Sequence, residues 1–213
     1  MVAGRIPARA LTLATSLLLL CSACTSGAAS SSQLVTADPS HVLLTLSDMP
    51  SAGFTVVEPE HAVNASTLAS GKDWDARQLM QEGFQAAATV RYLRAVDLTI
   101  ANGPVEVIDA VERFATATGA TDRYNARAKE LDNADGAIPT STGPLGDAAH
   151  AESIVRTTSG GVPAIQVTLL WRVANIVNVI VIRGRYGGTR VEDALPLARV
   201  ITQREVSSAH SPA

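Results

Sequence analysis

The chain has 213 residues, 46% of them hydrophobic and 17% charged, a mixture that belongs to a folded domain with a real core and excludes a disordered polyelectrolyte. Seventeen Lys and Arg against 20 Asp and Glu leave a formal charge of −3. That balance argues against a nucleic-acid partner and against a polybasic membrane-surface role.

The chain opens with Arg5 and Arg9, followed by an 11-residue apolar run, Ala10 to Leu20, and then Ser22-Ala23-Cys24. As a helix the run spans about 17 Å at about 1.5 Å per residue, against a bilayer core of about 30 Å. It is too short for a permanent span, and its order of parts predicts a secretory signal over 1–23. Removing 1–23 takes away two arginines and no acid, leaving 15 basic residues against 20 acidic ones and a formal charge of −5. Two kinds of processing are open: plain cleavage after a small residue, or cleavage before a lipid-bearing cysteine.

The segment Cys21-Ser22-Ala23-Cys24 resembles the bacterial lipobox, in which an apolar residue and two small ones precede a cysteine. Cys21 stands where Leu or Val is usual, and free cysteine behaves as a small hydrophobe. The resemblance implies a thioether-linked diacylglyceryl group on Cys24 as the first mature residue. Two acyl chains give stable anchoring where one does not. The implied address is the extracytoplasmic face of the cell membrane. Cys21 and Cys24 also spell C-x-x-C, but cleavage separates them, so the mature chain keeps no disulfide.

Residues 24–37 read as the lipidated cysteine and a small, polar, flexible tether, with an r.m.s. span of about 17–21 Å for its dozen residues. A single domain is expected over 38–206, and a loose tail over 207–213. Within the domain, Val42 to Leu46 is a short apolar run and Phe54 to Val57 a brief strand ended by Pro59. His61 to Gly71 reads as loop. Trp74 to Glu82 is a helix capped by Asp73 and stopped by Gly83, with Leu79 and Met80 inward. Phe84 to Leu93 is a strand that Leu98 to Ile100 continues, and Asn102-Gly103 turns the chain.

Pro104 to Ala115 fits both strand and helix spacing, and the turn before it favours strand. Asp109 and Arg113 then share a face with Val107 and Val111. A helix from Thr118 to about Leu131 follows, then loop over Asn133 to Pro144. Ala148 to Thr157 is a strand, turned back at Gly160-Gly161. Ile165 to Val173 alternates as a half-buried strand, Ala174-Asn175 is a tight turn, and Ile176 to Ile182 is apolar on both faces, as in a central strand. Thr189 and Glu192, or else Asp193, start a last helix with Ala194, Leu197, Val200 and Ile201 inward.

These elements predict an α+β domain: a twisted, mainly antiparallel sheet with about three packed helices. Ser47-Asp48-Met49-Pro50, Gly53-Phe54, Gly83-Phe84, Leu145-Gly146-Asp147 and the closing strand-helix unit make the layout similar to small exported lipoproteins of mycobacteria and related actinobacteria. Some of those have PsbP-like α+β domains, and the resemblance implies an envelope location and such a sheet.

Candidate chemistry is sparse. No G-x-S-x-G elbow and no H-E-x-x-H motif occurs in the sequence. Glu58, Glu60 and His61 flank Pro59 and read as surface residues. Asp147, His150 and Glu152 surround a strand start, where an acid-base pair competes with a solvated strand end. Asp73 and Asp75 flank Trp74. Gly160-Gly161 and Gly187-Gly188 read as turns. No catalytic, cofactor or metal residues are assigned; the one site residue is Cys24. The expected role is a non-catalytic binding or accessory domain, anchored in the membrane and facing an envelope protein or lipid. A carrier of an apolar ligand, seated against one face of Ile176 to Ile182, and an enzyme of unrecognised type are the alternatives. The oligomeric state stays open.

Overall fold

The computed structural model describes residues 33–69 and 76–209. Seven antiparallel strands form one sheet in the order β1-β2-β3-β7-β6-β5-β4. They are β1 (Phe54–Val63), β2 (Phe84–Arg94), β3 (Glu106–Phe114), β4 (Ile138–Pro139), β5 (Ala148–Thr157), β6 (Pro163–Val173) and β7 (Ile176–Arg185). Four α-helices accompany them among the described residues: α1 (Ala65–Ala69), α2 (Ala76–Gln81), α3 (Ala117–Asp132) and α4 (Leu195–Ala209). The architecture is therefore α+β but dominated by its sheet, with one helix more than expected because α1 forms in the stretch read as loop.

β7 takes the centre, as its two-sided apolar pattern requires. It pairs with β6 from Val173↔Ile176 to Ala164↔Arg185, and with β3 from Arg113↔Ile176 to Glu106↔Arg183. Ile176, Ile180 and Ile182 join the core beneath α4, where Leu197, Ala198 and Ile201 meet them. Val177 and Val179 join a second core beneath α3, with Phe114, Ala120 and Leu170. Both faces of β7 are thus covered over Ile176 to Ile180, and α3 occupies the place there considered for an apolar ligand. Each fully buried Val, Leu or Ile contributes about 1.5–3 kcal/mol relative to exposure.

The β6–β7 turn is held from outside. Ala174 adopts φ +49°, alone among described non-glycine residues in the left-handed region, which is uncommon for a residue with a Cβ. Its N–H donates to Asp147 Oδ2 at 2.7 Å, and its carbonyl accepts from Arg172 Nη1 at 2.7 Å. Gly146 makes this possible. At φ +57° any Cβ there would stand 2.3 Å from the Arg172 carbonyl oxygen.

Several boundaries differ from expectation. β1 runs through Pro59 to Val63. It is an edge strand with register breaks at Val56/Glu58 and Glu58/His61, and edges and bulges are where a proline costs no ladder bond. Leu98–Ile100 is a turn, with Ile100 73% exposed. Thr116 caps α3 by accepting the Gly119 N–H at 3.0 Å, two residues before the expected Thr118. Met80 points to solvent, whereas Leu79 is buried. β6 is covered on both faces at its centre, where Leu170 is as buried as Leu169.

Among the described residues, parts of the expected tether and of the expected tail belong to the fold. Val35, placed in the tether, is 2% exposed. Its N–H donates to Asn175 Oδ1 at 2.7 Å, and its carbonyl accepts from Asn175 Nδ2 at 3.1 Å. The expected loose tail is helical through Ala209, which is buried. The 1–23 signal, Cys24 and Trp74 with its flanking aspartates lie outside the described residues.

Candidate functional site

α3 and α2 cover one end of their sheet face. The other end carries a polar ladder across five strands. Arg91 on β2 donates from Nη1 to Glu58 of β1 at 2.8 Å and from Nε to Glu106 of β3 at 2.6 Å. Arg183 on β7 donates from Nη1 to Glu106 Oε2 at 2.9 Å and from Nε to Gln166 Oε1 of β6 at 2.8 Å. Strand alternation puts these side chains on one face, and the register sets Glu106 opposite Arg183 and Arg183 opposite Gln166. The Glu106 side chain is 8% exposed between the two guanidiniums, while Arg183 is 45% exposed. The ladder is therefore a surface whose donors are fixed in place before anything binds.

Beside it lies a depression of about 300 Å³, lined by Ile154, Arg156, Ala164, Ile165, Gln166 and Arg183. Arg156 reaches it from β5, opposite the small Ala164 of β6, and Arg183 from β7, opposite Gln166, so the two arginines lie on a diagonal across β6.

Nearer α3, His150 and Glu152 share the same face, as the alternation predicts. Their companion is Asp132 at the end of α3, with His150 Nε2 3.4 Å from Asp132 Oδ1. Glu152 is 2% exposed, and burial, with Asp132 adding to it, pushes its carboxyl above the usual range. Asp147 is not part of this group; it holds the β6–β7 turn. Glu58 belongs to the ladder, while the ring Nδ1 of His61 lies 2.9 Å from the Pro59 carbonyl oxygen. Among the described residues no three His, Cys, Asp or Glu side chains converge to hold a metal.

The opposite face buries acids of another kind. Asp109 accepts the Leu44 N–H at 2.7 Å through Oδ2, and its Oδ1 has no partner among the described residues. Burial pushes its carboxyl up to about 7, with the Leu44 bond opposing. Glu205, on the inner side of α4, is likewise raised well above the carboxylate range by burial, with Asn178 opposing. Neither oxygen of Glu205 and neither amide atom of Asn178 meets hydrogen-bond geometry with a partner among the described residues. Arg204, next to Glu205, turns outward and ties α4 to the N-terminal segment through Leu43 O at 2.7 Å and Asp48 Oδ2 at 2.8 Å. Burial alone would raise Asp48; the Thr45 bonds and Arg204 outweigh it and hold that carboxyl low.

No protein-family model matches the chain, and no curated protein matches it. Among solved structures it is similar to the extracellular domain of PknH from Mycobacterium tuberculosis, with 14% identity and a TM-score of 0.46, over 78% of this chain and 93% of that one. No described helix is long and apolar enough to cross a membrane.

Sequence reasoning missed the ladder, because its members lie up to about 125 positions apart and only the strand order joins them. The signal for Asp109 was present in its alternation with Val107 and Val111. Glu205 likewise follows Leu197 and Ile201 at four-residue steps, the spacing of one helix face.

Proposed function

We propose that this protein is an exported, lipid-anchored, non-catalytic binding domain of the cell envelope, and that it binds through the open half of the α3 face. The observation that carries this reading is the ladder from Glu58 to Gln166. Its side chains converge on one exposed surface and are held by one another rather than by a covering element. Preorganised donors of this kind suit recognition, since little ordering remains to be done on binding. Guanidinium, carboxylate and carboxamide groups supply hydrogen bonds and charge, the chemistry of holding a ligand. The apolar-carrier alternative draws no support from β7, whose valine face packs against α3.

Two experiments test the two halves of the proposal. Cys24→Ala is expected to move the protein from the membrane fraction to the soluble exported fraction, or to halt its maturation. Intact mass of the native protein should show acyl chains on Cys24, and a mature form without them would refute the anchor. For the binding face, a photoreactive side chain at Thr89, on the open half, is expected to trap an envelope component in living cells. The same group at Arg199, exposed on α4, should not. Trapping at Arg199 alone would overturn the assignment of the face.

A further inference from the structure

The geometry points to the depression between Arg156 and Arg183 as a binding site for a small organic oxyanion, with its carboxylate or phosphate bridging the two guanidiniums and a short apolar portion resting on Ala164 and Ile154. This rests on the open-face reading and names the class of ligand for it. Three observations support it.

The first is commitment. Arg183 spends Nε on Gln166 and Nη1 on Glu106, which fixes its guanidinium plane; Nη2 has no protein partner among the described residues. Arg156 makes only a long bond, from Nη2 to the Asp135 carbonyl at 3.4 Å. A pair of arginines, one fixed and one adaptable, is suited to the planar, charge-assisted recognition of an oxyanion.

The second is charge. The two charged residues lining the depression are both cations, on a chain that is acidic overall. Glu106, the neighbouring carboxylate, is shielded from a ligand by lying between Arg91 and Arg183. Arg185, one step further along β7, bonds the Ala101 carbonyl and the Asn102 side chain and pairs with no acid among the described residues. The charged lining of the depression is therefore cationic.

The third is shape. At about 300 Å³ the depression is at the small end of ligand sites. Its floor combines the methyl of Ala164 and the side chain of Ile154 with the Gln166 amide. A bare inorganic ion would leave the apolar floor unused, and a long acyl chain would exceed the space.

The test is a titration of the purified protein followed by amide NMR shifts, with three probes: inorganic phosphate, hexyl phosphate, and vesicles containing phosphatidylglycerol. Hexyl phosphate is expected to bind saturably, and more tightly than phosphate alone, with shifts confined to 154–156, 164–166 and 183. Vesicles that compete it off would make a lipid headgroup the source of the anion; vesicles without effect would make it a free metabolite. Arg156→Gln is expected to weaken hexyl phosphate roughly tenfold, the size of one charge-assisted hydrogen bond, with an unchanged spectrum elsewhere. Arg183→Gln should do the same, but it also cuts the ladder, so the Arg156 variant decides. Undiminished binding by Arg156→Gln, or no saturable binding of any probe, overturns the inference. Shifts at Glu58, Thr89 and Arg91 instead would overturn it while leaving the open face as the binding surface. Shifts only around Gln203 and Ser207, which line a separate depression between α4 and His41 on the N-terminal segment, would remove both.

Discussion

Strand β3 carries buried carboxyls on its two faces, and the faces treat them oppositely. Glu112 is fully buried against α3, where Arg123 donates to it from Nε at 2.7 Å and Arg127 from Nη1 at 2.5 Å. The two arginines sit four apart on α3 and so present to one spot. Asp109, three residues earlier and equally buried, meets α4 and the N-terminal segment, receives one backbone N–H and has no guanidinium to itself. The groups bearing on it are Asp48, Arg204, Tyr92 and Glu205, and Arg204 is already engaged by Asp48. A carboxyl in the interior has two ways to be tolerated: it can remain charged beside cations, or it can take up a proton. One strand of this protein uses both.

The largest expected effect comes from placing a charge on the Glu112 face without cations. Val179→Asp puts a carboxylate on the same face as Glu112, opposite Leu170 and Ala110, and brings no cation with it. It should cost about 5 kcal/mol, or prevent folding. An unchanged melting temperature would contradict the burial of β7.

Glu112→Leu removes the carboxylate and leaves the Arg123 charge buried without it. The expected loss is about 4–5 kcal/mol by denaturant unfolding. The double variant Glu112→Leu with Arg123→Met should recover most of that loss, because a buried pair can be replaced by apolar groups at little cost. A double variant as unstable as the single one would show that the pair has a role beyond its own neutralisation.

Asp109→Asn tests the protonated alternative through pH. A carboxyl raised in the folded state contributes stability fully below its unfolded value of 3.8, and that contribution is lost as pH climbs to about 7. Glu205 acts in the same direction. The introduced carboxamide keeps an acceptor for the Leu44 N–H and does not titrate. The variant should therefore gain on the wild type between pH 4 and pH 7, by up to about 4 kcal/mol, and the gap should level off above that. A gap that stays constant from pH 4 to pH 8 would mean that Asp109 is charged throughout.

The smallest effect belongs at the rim. Glu106 is also bracketed by two arginines, but Arg91 is 36% exposed, and Arg183 remains when it is lost. Arg91→Ala should cost about 1 kcal/mol or less, and less still in high salt.

How far the sequence spoke for all this follows from the range of each interaction. The β6–β7 hairpin, with its alternation and turn, was legible because its determinants are adjacent in the chain. The bounds of β5 and the inner face of α4 were legible for the same reason. Pro59 misled because it marks a strand end only where the strand is not at an edge, and edge position is a property of the whole sheet. The buried polar set was legible in part: Asp109 and Glu205 stand in apolar registers. Whether such a residue is an ion pair or a neutral acid depends on what the facing element brings. Glu112 meets the helix that follows it in the chain, whereas Asp109 meets the N-terminal segment and α4, a long-range meeting that no local pattern announces. The arginines of the open face were invisible because Arg91, Arg156 and Arg183 come onto one sheet face only once strand order is known.

The clasp of Asn175 on Val35 has a consequence for direction. Asn175 sits at the β6–β7 turn and also donates to Phe114 O at 2.8 Å, so the chain enters the domain at that end of the sheet. β7 then runs ten residues, roughly 30 Å at about 3.3 Å each, to Arg185 at the other end. A pull on the N-terminus would thus load the β6–β7 turn first and leave the arginine end as the free pole. The fixed entry point at Val35 and the Arg156–Arg183 depression therefore lie at opposite ends of β7.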